Sequence, residues 1–143
     1  VMNFGAFAIV SMRDQTELSD FNGLAKRQPM TAALMSVFMA SLIGLPLTAG
    51  FFGKFYIFKS AIDAELYWLV ALGLLTSAVA AFYYVRVIVA MYVKPVPEAA
   101  LELAVPAPGL QAVLFVSAAL TIGFGVVPGW LLDWATRSSG LLR

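Results

Sequence analysis

Apolar runs separated by short polar stretches divide this chain into segments of membrane-spanning length. Residues 1–12 (VMNFGAFAIVSM) are apolar but too few to cross a bilayer. They read as the last turns of a span that begins upstream, so the chain is expected to be a fragment. Residues 13–29 form the most polar stretch, in which Leu18, Phe21 and Leu24 predict a short helix lying on the membrane surface. Pro29 stands where a helix can begin, because its missing N–H is not needed in a first turn. Residues 67–93 read as a full span with Tyr67, Trp68 and Tyr92 at its ends, the places an aromatic belt occupies. Pro95, Pro97, Pro106 and Pro108 make residues 94–109 a linker that cannot sustain a helix. A further span is predicted over 110–127, ended by Pro128-Gly129 and marked at the interface by Trp130 and Trp134. Residues 128–143 are its tail.

The run from Met30 to Ile62 does not fit this scheme as one helix. Its 33 residues would extend roughly 50 Å at about 1.5 Å per residue, against a hydrocarbon core of about 30 Å. Gly44, Pro46, Gly50 and Gly53 interrupt it. Proline removes an amide donor and crowds the preceding turn, and glycine tolerates unusual backbone angles. The pattern predicts one discontinuous span, two half-helices over 30–45 and 51–62, with a non-helical segment between Pro46 and Gly53. Unpaired backbone at membrane depth survives only where protein or a wet cavity surrounds it, and ion sites of transporters sit at such breaks. The fold class is therefore an all-α integral membrane protein, part of a multi-span bundle with one broken transmembrane helix.

Composition agrees: 62% of residues are hydrophobic, 12% are charged and the mean hydropathy is +0.90. Soluble domains carry about twice that charge. A net charge of +1 without a basic cluster gives no reason to expect nucleic acid as a partner. Absence of cysteine and histidine excludes disulfides, Cys/His zinc sites and Cys- or His-ligated iron–sulfur and haem groups on this chain. No catalytic set is visible either, so the chain is read as non-catalytic on its own.

Lys54 is the ionisable residue next to the predicted break. Placed in the first turn of the second half-helix, it would have its charge disfavoured by desolvation and by the helix dipole, as a proton relay requires. The alternatives are snorkelling to an interface or a structural pairing; the sequence favours the relay, since ionisable groups inside spans are rare and usually functional. Thr76 with Tyr83, and Ser77 with Tyr84, are seven residues apart on shared faces and could line a hydrated path beside Lys54, although such hydroxyls often bond local carbonyls. Arg86 reads as a snorkelling or structural residue near the far interface. Rows of small residues (Ser36, Ala40, Gly44; Gly73, Ser77, Ala81; Ser117, Thr121, Gly125) predict close helix approach in lipid. Lysine and arginine bias puts the 13–29 loop and the 94–109 linker on the inside and the Asp63–Glu65 turn outside.

The stretch SLIGLPLTAGFFGKFYIF (residues 41–58), preceded by DFNGLAKRQP (20–29) and followed by YYVRVIVAMY (83–92), resembles the antiporter-like membrane subunits of respiratory complex I. The subunit N type of bacterial NADH-quinone oxidoreductase fits best. Related subunits occur in sodium/proton antiporter complexes and membrane-bound hydrogenases. The resemblance implies about fourteen spans in the whole protein, of which this chain looks like the last quarter. It also implies a proton-translocating role in a translocase of the bacterial inner membrane, with an organellar inner membrane as a lesser fit. Its partners would be other complex I membrane subunits, the lipid bilayer and protons. NADH, FMN, iron–sulfur clusters and quinone are implied for other subunits, with no cofactor bound by this chain. A sodium/proton antiporter subunit and a purely structural membrane subunit remain the other readings. The antiporter is disfavoured because no carboxylate lies inside a span to hold sodium. The structural subunit is the one that would tolerate a neutral residue at Lys54.

Overall fold

Pro29 opens a 15-residue helix that ends at Gly44, and both ends follow from local chemistry. The proline occupies the first turn, and the Thr31 hydroxyl donates to the Gln28 side chain at 3.2 Å beside it. At the other end Gly44 adopts a left-handed conformation with φ 89°. Its N–H reaches the Ser41 carbonyl, and the Leu45 N–H reaches the Ala40 carbonyl, at 3.1 and 3.0 Å. These two bonds form a Schellman closure, and Pro46 directly after it cannot continue the helix.

The computed structural model describes residues 18–96, 108–127 and 129. After a 3-10 turn at Leu18–Phe21 come α1 (Leu24–Arg27), α2 (Pro29–Ile43), α3 (Ala49–Asp63), α4 (Tyr67–Tyr92) and α5 (Pro108–Val126). No strand occurs among the described residues. Helix α2 is central, packing on α1, α3, α4 and α5. Its Ala32, Leu34, Met35, Phe38 and Met39 join Phe21, Leu24, Met91, Leu114 and Ala118 in one core. By contrast α3 has no fully buried residue, and α4 leaves Trp68, Leu75 and Phe82 each more than 60% exposed. Helices α4 and α5, at 26 and 19 residues, are long and apolar enough to cross a membrane.

Several expectations change. Phe21 and Leu24 are 7% and 1% exposed, so the 18–27 segment docks its apolar side on the bundle end instead of lying with that side on lipid. The Gly23 N–H donates to the Ala90 carbonyl at 3.1 Å, satisfying an acceptor in the last turn of α4. Val96 packs against Gly23, so this loop and the start of the linker meet at one end of the bundle. Helix α5 begins at Pro108, so Pro108 and Gly109 belong to it and not to the linker; proline fits a first turn. The truncated-span reading of 1–12, the Arg13–Glu17 part of the loop, most of the linker, and the tail with Trp130 and Trp134 lie outside the described residues.

Candidate functional site

Between α2 and α3 the chain is non-helical from Gly44 to Thr48, shorter than the Pro46–Gly53 segment the sequence predicts and nearer the N-terminus. Gly44 and Pro46 lie in it. Gly50 and Gly53 do not break the helix, since both sit inside α3. The physical reason for Gly50 is proximity: a Cβ there would collide with the Ser41 carbonyl of α2, so only glycine permits this crossing. Gly53 has nothing within 4 Å of such a Cβ and is a tolerated helical glycine.

Leu47 also adopts a left-handed φ of 73°, a costly conformation for a branched side chain. Thr48 pins the turn, its hydroxyl donating to the Leu45 carbonyl at 2.7 Å and its N–H to the same oxygen at 3.2 Å.

The two helix ends complete each other. The first N–H groups of α3 lack intrahelical acceptors, and the Gly50 N–H donates to the Ser41 hydroxyl of α2 at 3.1 Å. The last carbonyls of α2 lack intrahelical donors, and Lys54 Nζ donates to the Ile43 carbonyl at 2.9 Å. Lys54 lies in the second turn of α3, not the first as predicted, and its stem runs back over Gly44, whose added Cβ would stand 3.0 Å from Lys54 Cδ. The ammonium thus rests on the carboxyl end of α2 and lies close to the amino end of α3. One of its three donors is engaged by Ile43, leaving two for other acceptors.

The hydroxyl face predicted on α4 divides. Thr76 is exposed and donates to the Gly73 carbonyl at 3.0 Å, while Tyr83 is exposed at 59%. Tyr84 packs against the core, and Ser77 is half-buried. None of the four is hydrogen-bonded to Lys54 among the described residues. Gly73 faces α3, where a Cβ would stand 2.7 Å from the Phe58 ring. Phe58 is one turn beyond Lys54 and Ser77 one turn beyond Gly73, and α3 and α4 are joined by a short turn. Antiparallel register therefore sets Ser77 at the level of Lys54. Arg86 is exposed.

Sequence reasoning missed Ser41, Leu47 and Thr48. Ser41 carried a usable signal, as a lone hydroxyl in the last turn before Gly44; the φ of Leu47 carried none.

Residues 1–80 match the family described as "NADH:quinone oxidoreductase/Mrp antiporter, TM". "NADH-quinone oxidoreductase subunit N 1" of Solibacter usitatus is 47% identical over 99% of this chain, which spans 30% of that relative. "NADH-quinone oxidoreductase subunit N" of Trichlorobacter lovleyi is 42% identical over 99% of this chain and 30% of its own length. Among solved structures, a chain of respiratory complex I from Thermus thermophilus with bound aureothin superposes with a TM-score of 0.80. That chain is 34% identical, and the match covers 90% of this chain and 30% of it. The chain described here thus spans under a third of the length of these relatives. With more than half of its residues inside the family match, this chain belongs to the NADH:quinone oxidoreductase/Mrp antiporter transmembrane family.

Proposed function

We propose that this chain is part of a proton-translocating membrane subunit of NADH-quinone oxidoreductase (complex I), in which electron transfer from NADH to quinone drives proton pumping. On this reading α2 and α3 together form one discontinuous span, since each has only 15 residues and a span needs about 20. Lys54 is one ionisable stop on the proton path. The observation that carries the reading is the Lys54 Nζ–Ile43 carbonyl bond across the interruption. With one donor on the Ile43 carbonyl, the ammonium keeps two N–H groups through which a proton can pass to water. Ser77, at the level of Lys54, is the α4 hydroxyl best placed to pass a proton on through water. Thr76, Tyr83 and Tyr84 would line more distant parts of that hydrated path.

The site's partners on this reading are protons, the surrounding lipid and the other membrane subunits of the complex. On this reading the redox groups are held by other subunits, and this chain, without cysteine or histidine, offers no usual ligand for an iron–sulfur cluster. The test is Lys54→Met in the full-length subunit, assembled into the complex in sealed vesicles. Protons moved per NADH should fall while NADH oxidation and assembly persist. Unchanged pumping would return Lys54 to a structural role.

A further inference from the structure

Helix α5 meets the interruption backbone against backbone at Gly125. A Cβ added to Gly125 would collide with the carbonyl carbon and oxygen of Leu47 and with Thr48 Cα. None of these atoms can swing aside as a side-chain tip does. Gly125 is buried, and Thr121, one turn earlier on the same face, is 2% exposed. Thr48 is itself only 7% exposed. Another glycine of α5, Gly123, has nothing within 4 Å of such a Cβ.

The turn resting on Gly125 is stiff. Leu47 holds φ 73°, and two bonds from Thr48 to the Leu45 carbonyl tie its ends together. It leads directly into α3, so a displacement at Leu47 and Thr48 moves the first turns of that helix. Lys54 lies six residues past Thr48, and its 2.9 Å bond returns to Ile43 on the other side of the turn. A methyl inserted at Gly125 has to be accommodated by separating α5 from the turn or by moving the turn. The second response changes the distance Lys54 Nζ must span.

We propose that Gly125 is a positioning residue for Lys54: α5 seats the Leu47–Thr48 turn and thereby fixes where the ammonium stands. The inference rests on the reading of Lys54 as a proton carrier, and its test separates the two. Full-length subunits carrying Gly125→Ala, Gly123→Ala, Lys54→Met, or Gly125→Ala with Lys54→Met are assembled into the complex. Sealed vesicles then report NADH oxidation and protons moved per NADH separately. Gly125→Ala should lower the protons moved per NADH at least twofold at an unchanged oxidation rate, and Gly123→Ala should match the wild type. The double variant should pump as Lys54→Met alone, because both changes act through one group. Should Gly125→Ala fail to assemble, the comparison moves to a Leu47→Gly background, whose turn can yield to the methyl. Wild-type pumping by Gly125→Ala beside impaired Lys54→Met overturns the positioning role alone. A further loss in the double variant overturns it too, by placing the effect elsewhere. Wild-type pumping by Lys54→Met overturns the reading beneath it.

Discussion

Gly50 and Gly53 sit three residues apart in the same helix, and the packing of α2 on α3 makes opposite demands on them. Gly53→Ala adds a methyl where nothing lies within 4 Å. It should therefore gain about 1 kcal/mol, the usual advantage of alanine over glycine in a helix. Gly50→Ala gains the same propensity but drives its methyl into the Ser41 carbonyl. Overpacking against backbone costs about 1–3 kcal/mol. The helices must separate, and Lys54 Nζ then leaves the Ile43 carbonyl it holds at 2.9 Å; a bond to a charged group is worth about 1.5–3 kcal/mol. The net loss for Gly50→Ala is about 1.5–5 kcal/mol. For a chain more than three times as long as this one, the conversion falls to about 1–2 °C per kcal/mol, so its thermal midpoint should fall by roughly 1.5 °C or more, while that of Gly53→Ala holds or rises. Heating the full-length detergent-solubilised subunit and following its folded fraction by limited proteolysis reads both variants. A Gly50→Ala midpoint equal to or above that of Gly53→Ala would refute the close crossing and the reasoning built on it.

Gly44→Ala places a Cβ at φ 89° and against the Lys54 stem. It should lower the same midpoint through a left-handed conformation costing roughly 1–2 kcal/mol; an unchanged midpoint would count against the Schellman closure. Glu65 ends α3 in the same manner, with φ 58° and bonds from Glu65 and Leu66 N–H to the Ile62 and Ala61 carbonyls. Glu65→Gly should therefore stabilise by up to about 1 kcal/mol, read as a raised midpoint, and a drop would contradict the assigned turn. Single cysteines at Asn22 and Glu65 should be labelled from opposite sides of the membrane. This follows from Gly23 bonding to the far end of α4 from the Asp63–Glu65 turn. Labelling from one side would reject that topology.

The long apolar helices were legible because hydropathy and breakers act locally. The sequence predicts 67–93, and the helix is Tyr67–Tyr92. The 110–127 prediction missed the opening Pro108-Gly109, which a first turn accepts, and ran one residue past the last helical residue, Val126. What could not be read was tertiary. Four breakers look alike in sequence, yet two shape the turn and two lie in helix, and the difference at Gly50 is the Ser41 carbonyl on another helix. The same holds for Phe21 and Leu24, whose spacing suits a lipid surface as well as the core that buries them. The place of Lys54 beside the interruption was legible, but its partner was not. The sequence points to the positive end of α3, whereas its long side chain reaches the last turn of α2. Among the small-residue rows, Gly125 and Thr121 are buried while Ser36 and Ala40 are only partly so, so spacing alone did not tell which row meets backbone.

The central claim is that Lys54 gives up and regains a proton, rather than serving as a permanent positive bridge to Ile43. Lys54→Arg separates these roles, because guanidinium can donate to the same carbonyl and keeps its charge at any accessible pH. The measurement is protons moved per NADH oxidised by the assembled complex carrying full-length Lys54→Arg in sealed vesicles. The account predicts normal assembly and NADH oxidation with reduced pumping; pumping at the wild-type ratio would contradict it.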